Sequence, residues 1–187
     1  GVLNELAGLV KPGLTTDVLE KRARELTHDA GATPSFLGYE GFPNALCVSL
    51  NDEVVHGMSL PARTIRDGDV VSLDYGVNYQ GYFTDAAVTV GAGNVSKEAR
   101  VLIEDTKKSL NLGLKAVRAG ATFGDLGFAI SKLLKAKRYG IVTALVGHGL
   151  GRSVHEPPAV PNIGYPGKGE ILQEGLVIAV EPMVNLG

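Results

Sequence analysis

The sequence lacks the features that mark secreted, membrane-spanning and nucleic-acid-binding proteins. It has one cysteine among 187 residues, so no disulfide can form within the chain. Its formal net charge of -2 gives no general attraction to nucleic acid or to an anionic membrane. The longest apolar runs, Ile141–Gly147 and Leu176–Val180, fall far short of the ~20 residues that a bilayer span needs. These absences, and the absence of a signal-peptide pattern, favour a cytoplasmic protein that binds neither nucleic acid nor membrane.

Glycine, by contrast, is abundant. The 25 glycines have no fixed period, which fits a fold with many tight turns and close backbone approaches. The hydrophobic patterns predict an α+β protein. Helices are expected from about 1 to 10, 17 to 30, 96 to 117 and 122 to 137, and strands over 45–50, 70–74, 82–90, 141–146 and 176–183. Asp17 and Glu20 are spaced as a capping box at the start of the second helix.

The sequence contains a weak internal repeat. Segment 10–15 resembles segment 117–122, at an offset of 117 − 10 = 107 residues. In both places a helix ends, a second helix begins and strands follow, although a match of six residues can also arise by chance. A genuine repeat would divide a single domain, 1–187, into two similar α+β halves of about 1–95 and 96–187. The halves would face each other with a site between them.

Two aspartates point to a metal site. Asp74 closes an apolar strand, and Asp85 follows 85 − 74 = 11 residues later, near the start of the next strand. A turn through 78–81 would join the strands in a hairpin and place both carboxylates in one region of the sheet. Carboxylates a few Å apart repel each other unless a cation lies between them. The pair therefore indicates a divalent metal, unless each aspartate only caps a turn.

Two histidines and a glutamate extend this set. His148 and His155 lie in a glycine-rich segment, which predicts a loop or bent strand rather than a helix. Either imidazole could ligate a metal, transfer a proton or lie on the surface. Glu181 lies in a predicted apolar strand and needs a partner or a metal unless the strand ends in water. Carboxylates with one imidazole favour Mn²⁺, Fe²⁺, Co²⁺ or Zn²⁺, and two such ions ~3.5–4 Å apart would form a hydrolytic centre.

Together, four segments resemble the type I methionine aminopeptidases, a family of metallopeptidases with the pita-bread fold. The segments are NDEVVHG (51–57), SLDYG with FTDAAVTV (72–76 and 83–90), GHGLGRSVHEPPAVPN (147–162) and VEPMVN (180–185). The resemblance implies two pseudo-symmetric halves with a curved antiparallel sheet flanked by helices. It also implies hydrolytic removal of the N-terminal methionine from peptides and nascent proteins.

The resemblance assigns the metal ligands residue by residue. Asp74 would chelate one of two divalent ions (Co, Mn, Fe or Zn), and Asp85 would bridge both. His148 and Glu181 would complete the ligand set, and Glu181 would also be a candidate general base.

The resemblance also assigns residues to the substrate. His155 would stabilise the developing oxyanion on the scissile carbonyl, and His56 would contact the leaving nitrogen. The methionine pocket would be lined by Tyr39, Phe42 and Cys47, with Phe36 beside them. Aromatic and sulfur groups suit a thioether. The chain is expected to be monomeric, and the ribosome is a further candidate partner.

The sequence departs from the family at its ends. The family has an N-terminal helical segment and a fifth ligand, a bridging glutamate near the C-terminus, that this sequence does not contain. Segments are therefore expected to be missing on both sides. Without that glutamate, Asp74, Asp85 and Glu181 supply a charge of -3 against +4 for two divalent ions, so one ion should be weakly held.

Other interpretations remain open at this point. The chain could be an inactive pita-bread module that binds peptides or proteins, or an inactive fragment without the last ligand. A prolidase or proline aminopeptidase would carry a different pattern around the histidines and usually a large extra N-terminal domain. A creatine-type hydrolase without metal is disfavoured by the retained aspartates.

Overall fold

The computed structural model describes every residue from Gly1 to Gly187. The helices are α1 (Val2–Leu9), α2 (Thr16–Asp29), α3 (Lys97–Ala116) and α4 (Phe123–Ala136). The strands are β1 (Thr33–Pro34), β2 (Cys47–Leu50), β3 (Val70–Tyr79), β4 (Tyr82–Gly91), β5 (Gly140–Ile141), β6 (Gly147–Gly149), β7 (Glu156–Val160) and β8 (Val184–Asn185). All strand pairs are antiparallel, so the predicted α+β class is confirmed. None of the helices combines the length and hydropathy that crossing a bilayer requires.

The chain forms two compact units. The first unit consists of Gly1–Arg100 together with Gly151–Val154. The second unit consists of Val101–Leu150 together with His155–Gly187. Each unit has a buried apolar cluster of its own, as expected where helices pack on strands.

Strand β3 is the centre of the sheet in the first unit. It pairs with β4 along its whole length and with β1 and β2 at different positions. Val71, Leu73 and Tyr75 belong to the buried cluster that contains Leu6 of α1 and Leu19 of α2. Because side chains alternate along a strand, the even-numbered residues of β3 lie on the other face of the sheet.

The hairpin of β3 and β4 is longer than the predicted strands 70–74 and 82–90. Its turn is formed by Gln80 and Gly81, with φ of 53° and 82°, as two-residue hairpin turns require. The predicted turn through 78–81 is therefore confirmed at Gln80 and Gly81, whereas residues 78 and 79 still belong to β3. The pattern ended the first strand at Asp74 because glycine and asparagine follow it. Pairing with β1 and β4 nevertheless holds those residues in the sheet.

The predicted capping box at the start of α2 is wrong. Thr15 occupies the N-cap position without a side-chain hydrogen bond. The side chain of Glu20 is buried instead, and it accepts hydrogen bonds from the backbone N–H groups of Ala45 and Leu46. The spacing of residues in the sequence could not show that the Glu20 carboxylate would accept hydrogen bonds from a segment 25 residues away instead of capping the helix.

The second unit is built around α3 and α4. Thr122 and Asp125 form a capping box at the start of α4, with reciprocal backbone hydrogen bonds of 3.2 and 2.8 Å. Gly113 of α3 fits closely against α4, because a Cβ there would lie 2.5 Å from Cγ1 of Ile130. Ile130 is fully buried in the cluster that forms this unit's core.

Two predicted strands of the second unit are wrong. Of 141–146, only Ile141 is in a strand. The segment 176–183 has one isolated bridge, between Ile178 and Gly149, and the strand β8 begins after it. The segment runs beside β6, where Ala179 donates to the carbonyl of His148 at 2.8 Å. The ladder does not extend because β6 has three residues and an irregular register at its end.

The internal repeat predicted from six residues extends through both units at one offset. Helices α2 and α4 are each 14 residues long and begin 123 − 16 = 107 residues apart. The same offset relates two backbone hydrogen bonds, Gly13 to Ile65 (2.8 Å) and Gly120 to Leu172 (3.0 Å). It also relates the strand pairs Thr33–Asn78 and Gly140–Asn185. A constant register over helix, turn and strand shows that the repeat is structural.

Candidate metal centre

The first unit places two carboxylates on one face of its sheet. Asp74 of β3 pairs with Ala87 of β4, and Asp85 of β4 pairs with Gly76 of β3. The two aspartates are therefore diagonal neighbours, whose backbones are separated by about 7–8 Å in an antiparallel pair. They lie on the face opposite to the buried helix-facing cluster. The predicted hairpin does bring them together.

Cys47 shares that face, because it pairs directly with Asp74. Burial raises the pKa of the Cys47 thiol, and the charges of Asp74, Asp85 and Glu20 raise it further. Cys47 is therefore held as a neutral thiol, which is unsuited to nucleophilic catalysis and suited to an apolar contact.

In the second unit, His148 lies in the middle of β6 between two glycines that permit close packing. A Cβ at Gly147 would lie 2.2 Å from the carbonyl oxygen of Ala179, and one at Gly149 would lie 2.2 Å from that of Pro157. Any larger residue at either position would push the neighbouring backbone away. The prediction of a bent strand with close backbone approach is confirmed here.

The imidazole of His148 is oriented by the backbone of the next residue, Gly149. Its Nδ1 lies 2.8 Å from the carbonyl oxygen of Gly149, which can only accept, so Nδ1 carries the proton. Nε2 is the ring nitrogen left to face a metal ion, and it lies 3.5 Å from Oε1 of Glu181. The ring of His155 packs edge-on against His148, with 4.2 Å between the centroids. The second unit thus presents an imidazole nitrogen beside a carboxylate.

Glu181 is positioned by a buried amide. Asn162 is 2% exposed, and its Nδ2 donates to the backbone carbonyl of Glu181 at 3.1 Å. Glu181 also stands 181 − 74 = 107 residues after Asp74, so the two carboxylates occupy equivalent positions of the repeat. Sequence reasoning did not identify Asn162, because a lone asparagine in a proline- and glycine-rich segment looks like a turn residue.

The predicted pocket residues Tyr39, Phe42 and Cys47 do come together. They pack in an apolar cluster with Phe36, and the other members of the cluster are Phe83 and Val154. Gly76 leaves room for this cluster, since a Cβ there would lie 2.5 Å from Cε1 of Phe36. Phe83 and Val154 were missed because an apolar residue in a strand or loop does not show which neighbours it will meet.

His56 lies on an exposed loop of the first unit with a positive φ of 58°. The loop folds back on β2, because Val48 donates to the carbonyl of Gly57 at 2.7 Å and Met58 bridges Cys47. The loop is therefore fixed by backbone contacts while the His56 side chain remains exposed.

The donors in the two units fit a divalent transition metal. Each unit offers carboxylate oxygens, and the second adds imidazole nitrogens, with the ligand atoms of His148 and His155 within 4.8 Å of each other. Oxygen and imidazole donors suit Mn²⁺, Fe²⁺, Co²⁺ and Zn²⁺, and the only thiol is kept protonated.

Comparisons with known proteins agree with this donor chemistry. The family model described as metallopeptidase family M24 matches residues 1–187. A methionine aminopeptidase of Clostridium perfringens is 45% identical over 185 residues. The match covers 99% of this chain and 74% of that protein.

Solved structures share the fold. The crystal structure of methionine aminopeptidase from Thermotoga maritima has a TM-score of 0.97 and 37% identity. It is matched over 100% of this chain and 75% of the other. A prolidase from Pyrococcus furiosus, at 22% identity, has a TM-score of 0.80 over 97% of this chain and 51% of its own. The predicted pita-bread fold is thereby confirmed, and the chain belongs to metallopeptidase family M24.

Proposed function

We propose that this chain is a methionine aminopeptidase, which removes N-terminal methionine from peptides and nascent proteins by metal-dependent amide hydrolysis. The observation that carries the proposal is the 45% identity to a methionine aminopeptidase along 99% of the chain. The candidate ligand set and the apolar cluster on the Cys47 face of the sheet support the same activity.

The proposed ligands are Asp74 and Asp85 from the first unit and His148 and Glu181 from the second. Because each unit supplies only part of this set, we propose that residues 1–187 act as one catalytic domain. The set would hold two divalent ions drawn from Co, Mn, Fe or Zn. When bound, such ions polarise the scissile carbonyl and lower the pKa of a bound water.

One of these ligands and two further histidines act on the attacking water and the peptide. Glu181 would accept the proton of the attacking water, and the position of its carboxylate beside His148 supports this proposal. His155 would donate a hydrogen bond to the carbonyl oxygen as negative charge develops there. His56, on its exposed loop, would contact the nitrogen on the leaving side of the bond.

The methionine side chain would bind against the cluster of Tyr39, Phe42 and Cys47. Aromatic rings and a protonated thiol make favourable contacts with a thioether and offer no charge to a polar competitor. Since nascent chains are the proposed substrate, we propose that the enzyme acts in the cytoplasm, with the ribosome as a candidate partner. We also propose that it is a monomer.

The test is release of free methionine from the peptide Met-Ala-Ser, with Mn²⁺ or Co²⁺ added and a chelator control. Asp85→Asn should abolish release because it removes a ligand charge. Asp52→Asn, at an exposed loop position, should leave release unchanged and serves as the matched control. Peptide binding without cleavage would instead support the inactive-module interpretation and contradict the proposed activity.

A further inference from the structure

The carboxylate of Glu20 is buried and joins three separate segments of the first unit. The residue is 3% exposed. Oε1 accepts from the N–H of Ala45 at 2.8 Å and from Nε of Arg24 at 2.7 Å. Oε2 accepts from the N–H of Leu46 at 2.9 Å and from the hydroxyl of Ser59 at 2.7 Å. Nη2 of Arg24 also lies 2.5 Å from Oε1, as an ion pair. Donors from four residues thus converge on one carboxylate, and none of these residues belongs to the candidate ligand set.

Two of these segments lead directly to proposed substrate contacts. Ala45 and Leu46 immediately precede Cys47, which packs with the aromatic residues of the pocket. Ser59 follows Met58, which lies at the end of the loop that carries His56. Met58 forms an isolated antiparallel β-bridge with Cys47. Helix α2 makes a second hydrogen bond to Ser59, in which the hydroxyl of Thr16 donates to the Ser59 carbonyl at 2.6 Å.

We propose that Glu20 is a positioning residue for substrate binding. It fixes the entry to β2 and the end of the His56 loop relative to each other, and so sets the geometry of the methionine pocket. This inference rests on the proposed function for its meaning, but its structural part can be tested without any turnover.

The chemistry of these contacts requires a carboxylate. An ionised carboxylate only accepts, and here each oxygen accepts from at least two donors. In Glu20→Gln one oxygen becomes an NH₂ group, which faces the backbone N–H of Ala45 in one orientation of the amide and that of Leu46 in the other. The Ser59 hydroxyl can turn and accept from the NH₂ group, but a backbone N–H only donates. A substitution that hardly changes volume should therefore release the entry to β2.

Cys47 reports on this geometry because it is the only cysteine and is 3% exposed. The experiment measures the rate at which a disulfide reagent labels Cys47 in the native chain. Glu20→Gln should label about tenfold faster than wild type, and the milder Ser59→Ala should label faster by a smaller factor. Ser59→Ala keeps the test available if Glu20→Gln does not fold.

Thr27→Val is the matched control. Thr27 lies on the same helix and is buried, and its hydroxyl bonds Tyr75 and Ala23 rather than the pocket segments. Rates are compared at urea concentrations that give the variants equal free energies of unfolding. Equal labelling of Thr27→Val and Glu20→Gln under these conditions would overturn the proposal, because Glu20 would then only stabilise the fold.

Turnover supplies the second readout. Glu20→Gln should raise KM for Met-Ala-Ser about tenfold with kcat changed by less than about threefold, as expected for a lost binding geometry. An unchanged KM in a folded Glu20→Gln variant would contradict the proposal. A wild-type chain that releases no methionine would contradict the proposed function and leave the labelling result to decide on Glu20.

Discussion

At the scale of single residues, His148 is the most constrained member of the candidate metal centre. Two glycines let neighbouring backbones close on its strand, and its Nδ1 bonds the carbonyl of Gly149. These contacts fix the ring before any ion binds. Preorganisation of this kind raises metal affinity because the ligand does not need to be ordered on binding.

His148→Ala should therefore lower methionine release by about 100-fold or more and weaken Co²⁺ binding by at least about tenfold. Binding can be followed by the visible absorption of the bound ion, independently of turnover. His28→Ala is the control, because His28 is exposed on α2 and its side chain is 91% accessible. Retention of full Co²⁺ affinity by His148→Ala would exclude His148 as a ligand.

The sequence allowed these polar residues to be named but did not show how they are supported. A histidine among glycines and an aspartate in an apolar strand are unusual enough to be noticed. Asn162 and Glu20 are not, because their partners lie 19 and 25 residues away along the chain. Such contacts depend on packing, which local spacing does not record.

At the scale of elements, the end of α4 is tied to α3 by an ion pair. Asp105 of α3 accepts from Tyr139 at 2.9 Å, and Lys137 lies 3.1 Å away. Burial alone would raise the pKa of Asp105, but the hydrogen bonds from Tyr139 and Lys137 outweigh it and lower the pKa. The folded chain therefore favours the ionised carboxylate more than the unfolded chain does.

This contact should make stability depend on pH. Ionised Asp105 stabilises the fold above its ordinary pKa, and the contribution is lost as pH falls through the lowered value. The difference in free energy of unfolding between wild type and Asp105→Asn should thus shrink on acidification in urea titrations. A constant gap between wild type and Asp105→Asn would refute this.

Long, strongly patterned elements were predictable and short ones were not. The helix expected from 122 to 137 is found at Phe123–Ala136, because an amphipathic pattern and a capping box agree there. The apolar run 141–146 predicts a strand, but within it only Ile141 has a strand partner, which is Val184. An apolar run indicates a preference for burial, whereas a strand also needs a neighbouring strand with which its backbone can form hydrogen bonds.

At the scale of the whole molecule, metal binding should be visible as stability. An ion that binds the folded chain and not the unfolded one stabilises it by about 2.7 kcal/mol at a concentration of 100 Kd. For a chain of this size we expect Tm to rise by about 5–10 °C on addition of Mn²⁺ and to fall back with chelator. Calorimetry measures this directly. A tenfold weaker affinity in His148→Ala lowers the stabilisation at the same Mn²⁺ concentration to about 1.4 kcal/mol, so the shift in Tm should fall by about half or more. An undiminished shift in that variant would place the ion elsewhere.

Because the offset between the two repeats is constant, each residue of the first repeat can be compared with the residue 107 positions later in the second. The residue after α2 that turns left-handed is Gly31, with φ of 66°, and its counterpart 107 positions later is Arg138, with φ of 62°. Likewise, Asp74 in the first repeat corresponds in position to Glu181 in the second. The difference between Gly31 and Arg138 shows that this left-handed conformation accommodates a side chain in the second unit. At Gly13 and Gly120, with φ of 87° and 85°, both units have the residue that adopts such a conformation without strain.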